Sequence, residues 1–547
     1  MNRVILIGLS GTGKSSVTKL LAARLGFTAV DLDDEIVRLF GCEISAIFQR
    51  HGEAVFRAAE RDLLGRACSH SNRVIATGGG AVVDEANWVA MRPESLVIHL
   101  RAQSEELLDR LRGQLAADAS TVRPLLASND PLADLERMWQ MRRSYYERAD
   151  ASIDTGGKTV DAVVDEAERL VQAAQTGELP LPIGTLGVPT GRSDLYVASG
   201  LLTSTGRLMR QRFPTARHAW VISDTNVAPL WSEPIRESLA AAGFATDVLT
   251  VPAGEASKSL AQTGSLLDQL LNGRIDRRDV VVALGGGVVG DLAGLVAAIV
   301  LRGVGLVQIP TSLLAMVDSS VGGKTGIDHP RGKNLIGAFY QPQLVIADPT
   351  VLTTLPDREW RAGWAEIIKH GMIESTATGV EELRLLPRIE SASDADLRHV
   401  DFMAAIVADN VRIKRAVVQG DEREAGIRRV LNYGHTLGHA MEASNYRYIH
   451  GEAIALGMRA AIALAIRLGR SNDEIATRQN ALLDRFGLPS KFDGELSDVM
   501  DHIWSDKKAV SGVLTWILPG DHAGFVDVVD NVPLADVEAI ARGIGAR

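Results

Sequence analysis

A glycine-rich segment near the start of the chain has the residue types and spacing of a phosphate-binding loop. Residues 8–15 read Gly-Leu-Ser-Gly-Thr-Gly-Lys-Ser, which fits the pattern G-x-x-x-x-G-K-[ST]. Such glycines let backbone N–H groups surround phosphate oxygens, while Lys14 adds a positive charge and the Ser15 hydroxyl can ligate Mg²⁺. The segment follows an apolar strand and opens a helical stretch, so it predicts a nucleoside triphosphate site. The motif alone does not define the reaction.

Charged residues and a second glycine run follow other strand-like segments of the first half. Asp31 and Asp33 come after Ala29-Val30, where strand alternation would point both carboxylates the same way, toward a metal or a hydroxyl. Capping of the next helix is the alternative for this pair. Gly78-Gly79-Gly80 follows Arg73–Ala76 and is either a close-approach site for a ligand or a plain turn. Arginines that suit an anionic ligand are Arg57 on a predicted helix, Arg123 in a polar, lid-like region, and Arg142 and Arg143 on a later helix.

A third glycine run lies in the second half, in the most apolar part of the chain. Gly285-Gly286-Gly287-Val288-Val289-Gly290-Asp291 follows the strand-like segment Val280–Leu284. It does not match the dinucleotide fingerprint neatly, but a glycine turn that opens a helix is a place for a pyrophosphate. Close packing of a strand against a helix is the alternative. We read Val280–Leu301 as a buried strand, a turn and a packed helix, and not as a membrane span, because it contains Asp291.

Three later segments contain residues that suit a metal centre. They are Glu366 in AGWAEIIKHG, His435 and His439 in NYGHTLGHA, and His450 in IHGEA. Histidines four residues apart share one face of a helix, so spacing alone suggests that His435 and His439 both bind a metal. Core or substrate-binding histidines are the alternative. Cations that recur in nearby motifs hint at an acidic ligand, although each one alone is most often a solvated surface residue: Lys324, Lys333, Lys369, Lys414 and Arg428.

The elements that must position these residues fall into three regions. Residues 1–172 alternate short apolar strands with helical stretches, which predicts a parallel sheet covered by helices. The Gly- and Pro-rich stretch near 173–190 reads as a linker. Residues 191–350 again alternate strands and helices, and residues 351–547 are mostly helical. We therefore predict an α/β protein with a P-loop kinase domain, an NAD-binding α/β domain and a helical metal-binding domain.

Composition excludes several classes of protein. The chain has 547 residues, a formal net charge of −10 and 46% hydrophobic residues, which is ordinary for globular domains and argues against a general nucleic-acid binder. Its two cysteines, Cys42 and Cys68, do not form a disulfide framework and fit a reducing cytosol. The first apolar run is too short for a signal peptide, so we expect a cytoplasmic enzyme that binds neither nucleic acid nor membrane.

The ordered motifs of residues 1–172 (GTGKSS, DLD, FR, GGG, a lid arginine and RRSYYE) resemble shikimate kinase. The resemblance implies that Arg57 and Arg142 grip the shikimate carboxylate, with Arg143 as the alternative to Arg142 because the usual proline before the tyrosine is missing. It implies that Asp33 holds the attacking hydroxyl, that Gly79 and Gly80 line the substrate, and that Arg123 closes over the ATP phosphates. Magnesium ATP would lie on residues of the phosphate loop: Gly11, Thr12, Gly13, Lys14, Ser15 and Ser16.

The motifs of residues 191–547 (GEASKS, GGGVVGD, PTSLLAMVDSSVGGKTG, AEIIKHG, LNYGHTLGHA, HGEA and DKK) resemble 3-dehydroquinate synthase in order and content. The resemblance implies that Glu366, His435 and His450 bind one Zn²⁺ or Co²⁺, so His439 becomes a substrate-side residue. It places NAD⁺ on Asp224, Asn226, Glu255, Lys258, Gly286, Gly287, Val288, Asp291, Thr311, Ser312, Lys333, Leu352, Thr353 and Thr354. It places the phosphorylated acid on Asp318, Lys324, Asn334, Lys369, Lys414, Arg428, Asn432, His439 and Lys508, with Lys507 as the alternative to Lys508.

Together the two resemblances imply a bifunctional enzyme of the route to chorismate and the aromatic amino acids. One half would phosphorylate shikimate, with Lys14, Asp33 and Arg123 in catalysis. The other would convert a heptulosonate phosphate to 3-dehydroquinate and phosphate, with Lys324, Lys369, Arg428 and His439 in catalysis and a homodimer formed through this half. Two alternatives remain: another sugar-phosphate cyclase, and a kinase half that has become a nucleotide-binding module without catalysis.

Overall fold

The computed structural model describes residues 1–117, 130–146, 148–444, 447–509 and 515–547, and side chains at all of these except 117, 144 and 504–509. The chain divides into two compact units, residues 1–187 and 188–547. Among the described residues, no helix combines the length and the apolar character that crossing a membrane requires.

The first unit is built on a parallel sheet with the strand order β2-β3-β1-β4-β5. Its strands are short and rich in Val, Ile and Leu, as expected for a sheet that is buried on both faces. The hydrophobic cores on the two faces are separate clusters, which confirms the predicted parallel α/β architecture. The elements are β1 (Arg3–Ile7), α1 (Lys14–Leu25), β2 (Thr28–Asp31), α2 (Leu32–Phe40), α3 (Ile44–Cys68), β3 (Arg73–Ala76), α4 (Glu85–Met91), β4 (Ser95–Arg101), α5 (Ser104–Ala117), α6 (Pro131–Tyr146), β5 (Ala151–Asp154) and α7 (Val160–Thr176).

The segment predicted as a linker contains regular structure. Residues 173–176 are the end of α7, and Gly177 ends that helix in the left-handed conformation. The strand β6 (Gly184–Val188) follows, and the division between the two units falls inside it. The glycine- and proline-rich stretch therefore contains the end of α7 and the strand β6, and is not an extended linker throughout.

The second unit opens with an α/β region, as predicted. Its parallel sheet has the order β7-β14-β11-β10-β8-β9, and an antiparallel hairpin of β12 and β13 is an element that the sequence reading missed. The elements are β7 (Gly191–Val197), α8 (Thr205–Arg212), β8 (His218–Asp224), α9 (Ala228–Ala241), β9 (Ala245–Val251), α10 (Leu260–Asn272), β10 (Val280–Gly285), α11 (Gly287–Ile299), β11 (Gly305–Pro310), β12 (Lys324–His329), β13 (Gly332–Phe339) and β14 (Leu344–Ala347).

The rest of the second unit is mostly helical and ends with a small antiparallel ribbon of β15 and β16. Helix α17 lies at its centre and is buried along most of its length, since its sequence is rich in Ala, Ile, Leu and Met on all faces. The elements are α12 (Asp357–Met372), α13 (Glu374–Thr378), α14 (Leu385–Ser391), α15 (Val400–Gly420), α16 (His435–Ser444), α17 (His450–Arg467), α18 (Asp473–Arg485), α19 (Leu496–Ala509), β15 (Thr515–Pro519), β16 (Val526–Asp530) and α20 (Leu534–Gly543).

Candidate functional sites

The phosphate-binding segment forms the turn between β1 and α1 that its spacing predicts. Helix α1 begins at Lys14, and Gly13 precedes it with a φ of 89°. Gly8 has a φ of 149°, and a Cβ there would lie 2.3 Å from the carbonyl oxygen of Leu100, so this position accepts only glycine. The Lys14 ammonium donates to the carbonyl oxygens of Gly8 and Leu9, at 2.9 and 3.0 Å. The lysine therefore lies against the loop that is predicted to bind phosphate.

The glycine run after β3 lies directly against the charged residues that the sequence singled out. A Cβ on Gly80 would lie 2.6 Å from Arg57 Nη2, and one on Gly78 would lie 3.0 Å from Asp33 Oδ1. The Arg142 guanidinium donates to the carbonyl oxygen of Gly79 at 2.9 Å. The run thus lies against side chains of the chain itself and brings Asp33, Arg57 and Arg142 together, and its role as an approach site for a ligand stays a prediction.

Arg57 is held by a buried carboxylate that the sequence reading missed. Its Nη1 donates to Glu60 Oε2 at 2.7 Å, and Glu60 is 1% exposed. Burial lowers the pKa of Arg57, but Glu60 and Glu53 outweigh it and raise that pKa. Burial raises the pKa of Glu60, with Arg57 opposing. The i, i+3 spacing of Arg57 and Glu60 on α3 was the available signal, but a surface ion pair gives the same pattern.

The structure separates the roles of the two aspartates and of the two neighbouring arginines. Asp31 is the N-cap of α2 and accepts the backbone N–H of Asp33, so the helix-capping alternative is correct for Asp31. The alternation argument fails because Asp33 already belongs to the helix. Arg142 contacts Gly79, whereas Arg143 is exposed. Arg123 lies outside the described residues.

The predicted dinucleotide residues lie together at the carboxyl edge of the second sheet. Strand β9 lies on one side of β8 and the next strand in the chain, β10, lies on the other side. The crevice between β8 and β10 is therefore a topological switch point, where α/β sheets bind ligands. Gly286 precedes α11 there, and no side chain in the described part of the chain caps the first turn of that helix. The N–H groups of this turn, beside glycines, suit a pyrophosphate. The other predicted residues follow β8, β9, β11 and β14: Asp224, Asn226, Glu255, Lys258, Thr311, Ser312 and Leu352–Thr354.

Lys258 connects this edge to the β12–β13 hairpin. Its buried ammonium donates to Asp291 Oδ2 at 2.9 Å and to Asn334 Oδ1 at 2.5 Å. Burial lowers the pKa of Lys258, but Asp291 and Glu255 outweigh it and raise that pKa, so the lysine stays charged. The hairpin is thereby fixed against the glycine turn, and its residue Lys333 stands next to Asn334.

The predicted metal ligands meet at one point, although they come from three helices. Glu366 Oε1 lies 3.7 Å from His435 Nε2 and 3.4 Å from His450 Nε2. His435 Nδ1 contacts the carbonyl oxygen of Tyr433 at 3.0 Å, and His450 Nδ1 contacts Glu442 Oε2 at 3.2 Å. Partners of this kind fix the ring orientation and leave Nε2 for a metal. The donor set of two imidazoles and one carboxylate is that of a catalytic zinc-type site.

The charge balance of this cluster also suits a cation. Glu366 is completely buried, and its oxygens face only the Lys369 ammonium and the two imidazoles among the described residues that pair with it. Burial lowers the pKa of His450, but Glu366 and Glu442 outweigh it and raise that pKa to about 9, so the position favours positive charge. The donors therefore fit a divalent metal. His439 is also near, since one ring nitrogen from each of His435, His439 and His450 lies within 4.8 Å of the others.

Buried cations lie beside the metal ligands. Lys369 and Arg428 are each 1% exposed and Lys414 is 5% exposed, so the surface alternative is wrong for these three. Lys369 is ion-paired with Glu366, and the Lys414 ammonium lies 2.6 Å from Asp318 Oδ1. Burial lowers the pKa of Lys414 to about 8, with Asp318 opposing. Three buried cations close together provide fixed positive charge that suits an anionic ligand.

Lys324 and Asn432 share a carboxylate that the sequence reading did not single out. Glu424 forms an ion pair with Lys324 and accepts a hydrogen bond of 2.7 Å from Asn432 Nδ2. Its backbone has a φ of 62°, so a non-glycine residue is held there in the left-handed region. Lys507 and Lys508 belong to α19, but their side chains lie outside the described part of the structure.

Comparison with known proteins identifies families that match the two halves of the chain. Residues 248–362 match the family model for the 3-dehydroquinate synthase N-terminal region, and residues 363–509 match that for its C-terminal region. The protein named 3-dehydroquinate synthase from Symbiobacterium thermophilum is 46% identical over 358 residues, which cover 64% of this chain and 98% of that protein. The chain belongs to the 3-dehydroquinate synthase family. Residues 10–172 match the family model for shikimate kinase, so this family member also carries a kinase region.

Two solved structures share the fold of the synthase region. One is 2-deoxy-scyllo-inosose synthase complexed with carbaglucose-6-phosphate, NAD⁺ and Co²⁺, with a TM-score of 0.59, 24% identity and coverage of 66% of this chain and 99% of that one. The other is 2-epi-5-epi-valiolone synthase from Streptomyces hygroscopicus with NAD⁺ and Zn²⁺ bound, with a TM-score of 0.58, 24% identity and coverage of 65% and 98%. At this identity the likeness concerns the fold alone.

Proposed function

We propose that the chain catalyses two reactions of the shikimate pathway. The first unit transfers the γ-phosphoryl group of ATP to the 3-hydroxyl of shikimate. The second converts 3-deoxy-D-arabino-heptulosonate 7-phosphate to 3-dehydroquinate and phosphate. The observation that carries the proposal is the meeting of Glu366, His435 and His450 beside three buried cations.

In the kinase unit, the residues at the glycine run position the acceptor. Asp33 would orient the substrate hydroxyl and take its proton, and Arg57 and Arg142 would bind a carboxylate, a proposal that their contacts with the glycine run support. Lys14 would neutralise phosphate charge. Phosphoryl transfer depends mainly on positioning of the reactants and compensation of charge. These four residues would supply both functions.

In the synthase unit, Gly286, Gly287 and the first turn of α11 would hold NAD⁺, and Glu366, His435 and His450 would hold a divalent metal. When bound, NAD⁺ accepts and returns a hydride, and the metal polarises the oxygens of the substrate. Lys369, Lys414 and Arg428 provide fixed positive charge for the carboxylate and phosphate of the substrate. Lys324 and His439, which are more exposed, would bind the substrate's oxygens and move protons.

Charge favours a carboxylated substrate over a simple sugar phosphate. Lys369 and Lys414 pair with Glu366 and Asp318, and Arg428 donates to the backbone carbonyl oxygens of Glu422 and Gly322, with Glu424 and Asp421 acting on its charge. A bound metal would add two positive charges to this balance. A substrate with both a phosphate and a carboxylate compensates this excess better than a neutral sugar carrying only phosphate. This argument supports the heptulosonate phosphate over the substrates of other sugar-phosphate cyclases.

Assays on the purified full-length chain test both activities. Heptulosonate phosphate with NAD⁺ and Zn²⁺ or Co²⁺ should release phosphate and 3-dehydroquinate without net NADH formation. Sedoheptulose 7-phosphate and glucose 6-phosphate, tested in parallel, should release none; release from either one instead would identify a different cyclase. ADP formation from Mg²⁺-ATP should depend on shikimate. A rate that ignores shikimate would indicate a nucleotide-binding module without kinase activity.

Further properties belong to the same proposal. We propose Mg²⁺ with ATP in the kinase unit and Zn²⁺ or Co²⁺ in the synthase unit, supported by the ligand types present and by the metals of proteins that share the fold. We also propose a cytoplasmic location, which two cysteines and the small-molecule substrates support.

A further inference from the structure

One carboxylate connects the metal ligands to the β12–β13 hairpin. Glu442, on α16, contacts His450 Nδ1 through Oε2 at 3.2 Å and Lys333 Nζ through Oε1 at 2.6 Å. Its side chain is 12% exposed, whereas that of Lys333 is 47% exposed. Each oxygen thus has its own partner, and the carboxylate lies between a proposed metal ligand and a residue of the hairpin.

The hairpin is a suitable anchor because it is fixed at its other side. Asn334, next to Lys333, accepts from the buried Lys258, and its backbone N–H donates to Asp328 Oδ1 at 2.8 Å. The ion pair of Lys333 with Glu442 therefore joins helix α16 to an element that is tied to the cofactor edge of the sheet.

Resting on the proposed function, we infer that Glu442 is a positioning residue that holds His450 for the metal and is itself held by Lys333. The hydrogen bond from His450 Nδ1–H to Glu442 fixes the tautomer in which Nε2 is free and points it toward Glu366. Lys333 restricts the rotation of the carboxylate, so the imidazole loses less freedom when the metal binds. Neither residue needs to touch the metal.

The two contributions of Lys333 to metal binding have opposite signs, which makes the inference testable. As a nearby positive charge, Lys333 repels a metal ion, so its removal should tighten metal binding. As the residue that holds Glu442, its removal should weaken metal binding. The sign of the change therefore separates positioning from simple electrostatics.

The experiment titrates Co²⁺ into the metal-free full-length protein and follows both the affinity and the visible absorption of the bound ion. Glu442→Gln is nearly isosteric and should weaken Co²⁺ binding about 10- to 100-fold, the usual effect of losing such a partner, and alter the absorption. Lys333→Met should weaken binding by a smaller factor. Lys324→Met is the matched control, because this lysine lies on the same hairpin but pairs with Glu424, and it should leave the affinity unchanged or raise it.

The double variant gives the sharpest outcome. In Glu442→Gln, the amide oxygen can accept the hydrogen bond from His450 only when the amide NH₂ faces Lys333. The NH₂ and the Lys333 ammonium are both donors, so this arrangement is unfavourable. Adding Lys333→Met to Glu442→Gln should therefore restore affinity rather than reduce it further. Equal Co²⁺ affinity in wild type and Glu442→Gln, or tighter binding by Lys333→Met alone, would overturn the inference. Absence of stoichiometric Co²⁺ from the wild type would overturn the proposed metal site as well.

Discussion

Gly80→Ala tests whether Arg57 binds the shikimate carboxylate. Gly80 has a φ of −101°, so alanine fits the backbone without strain. Its methyl group, however, would stand 2.6 Å from Arg57 Nη2 and 2.8 Å from Nη1. The guanidinium must shift by roughly 0.8 Å to reach ordinary contact, which is enough to break a hydrogen bond of normal length. Loss of a charge-assisted contact costs about 1.5–3 kcal/mol, so we expect the KM for shikimate to rise about 10- to 100-fold.

The assay is shikimate-dependent ADP formation, with the KM for ATP and the synthase rate of the same chain measured in parallel. Both should stay within about twofold of wild type, since the three atoms nearest to the added methyl group all belong to Arg57 and the other unit has its own core. Gly65→Ala is a matched control on α3, the helix of Arg57, because nothing lies within 4 Å of the added methyl group. A folded Gly80→Ala protein with an unchanged KM for shikimate would refute the assignment of Arg57 to the carboxylate.

Three further predictions concern single residues. Lys14→Ala should abolish phosphorylation and leave the synthase rate unchanged in the same preparation; loss of both activities would show that the halves are coupled. His450→Ala should lose stoichiometric metal, measured by elemental analysis, whereas His439→Ala should retain it; the reverse pattern would exchange their roles. Burial, with Arg101 and Lys14 nearby, lowers the pKa of His99 from 6.5 to about 4, so the folded state binds fewer protons than the unfolded state between these values. The first unit should therefore lose stability as pH falls from 6.5 toward 4, by about 3 kcal/mol in thermal or urea unfolding, and His99→Phe should remove most of this dependence; an equal acid sensitivity in that variant would assign the effect elsewhere.

The sequence predicted most of what depends on local pattern. The parallel strands of both units lie where apolar runs follow turn residues, and the phosphate loop lies between β1 and α1. The set Glu366, His435 and His450 came from the resemblance to the synthase family, and these residues meet around one point although up to 84 positions separate them in the chain. Spacing alone favoured His435 and His439 as the pair of metal ligands. A local pattern can reveal neighbours only within one helix, whereas His450 and Glu366 come from other helices.

The missed features share a physical cause. Glu60, Glu424 and Glu442 each hold a cation or an imidazole, and a single glutamate on a helix or loop looks like ordinary solvated surface in the sequence. The β12–β13 hairpin was missed because its polar, glycine-containing strands lack apolar alternation. The roles of these residues and strands depend on partners that are distant in the chain. They can therefore be recognised only from tertiary contacts.

Because two compact units share one backbone, the cellular amounts of their two activities are linked. Synthesis delivers both at a fixed ratio of one to one, whatever the demand for each product. We expect a substitution that unfolds residues 1–187 to open the shared chain to proteases, so that residues 188–547 are degraded with them. A stability defect in one half should therefore lower the cellular amount of both activities, while the purified chain loses only one.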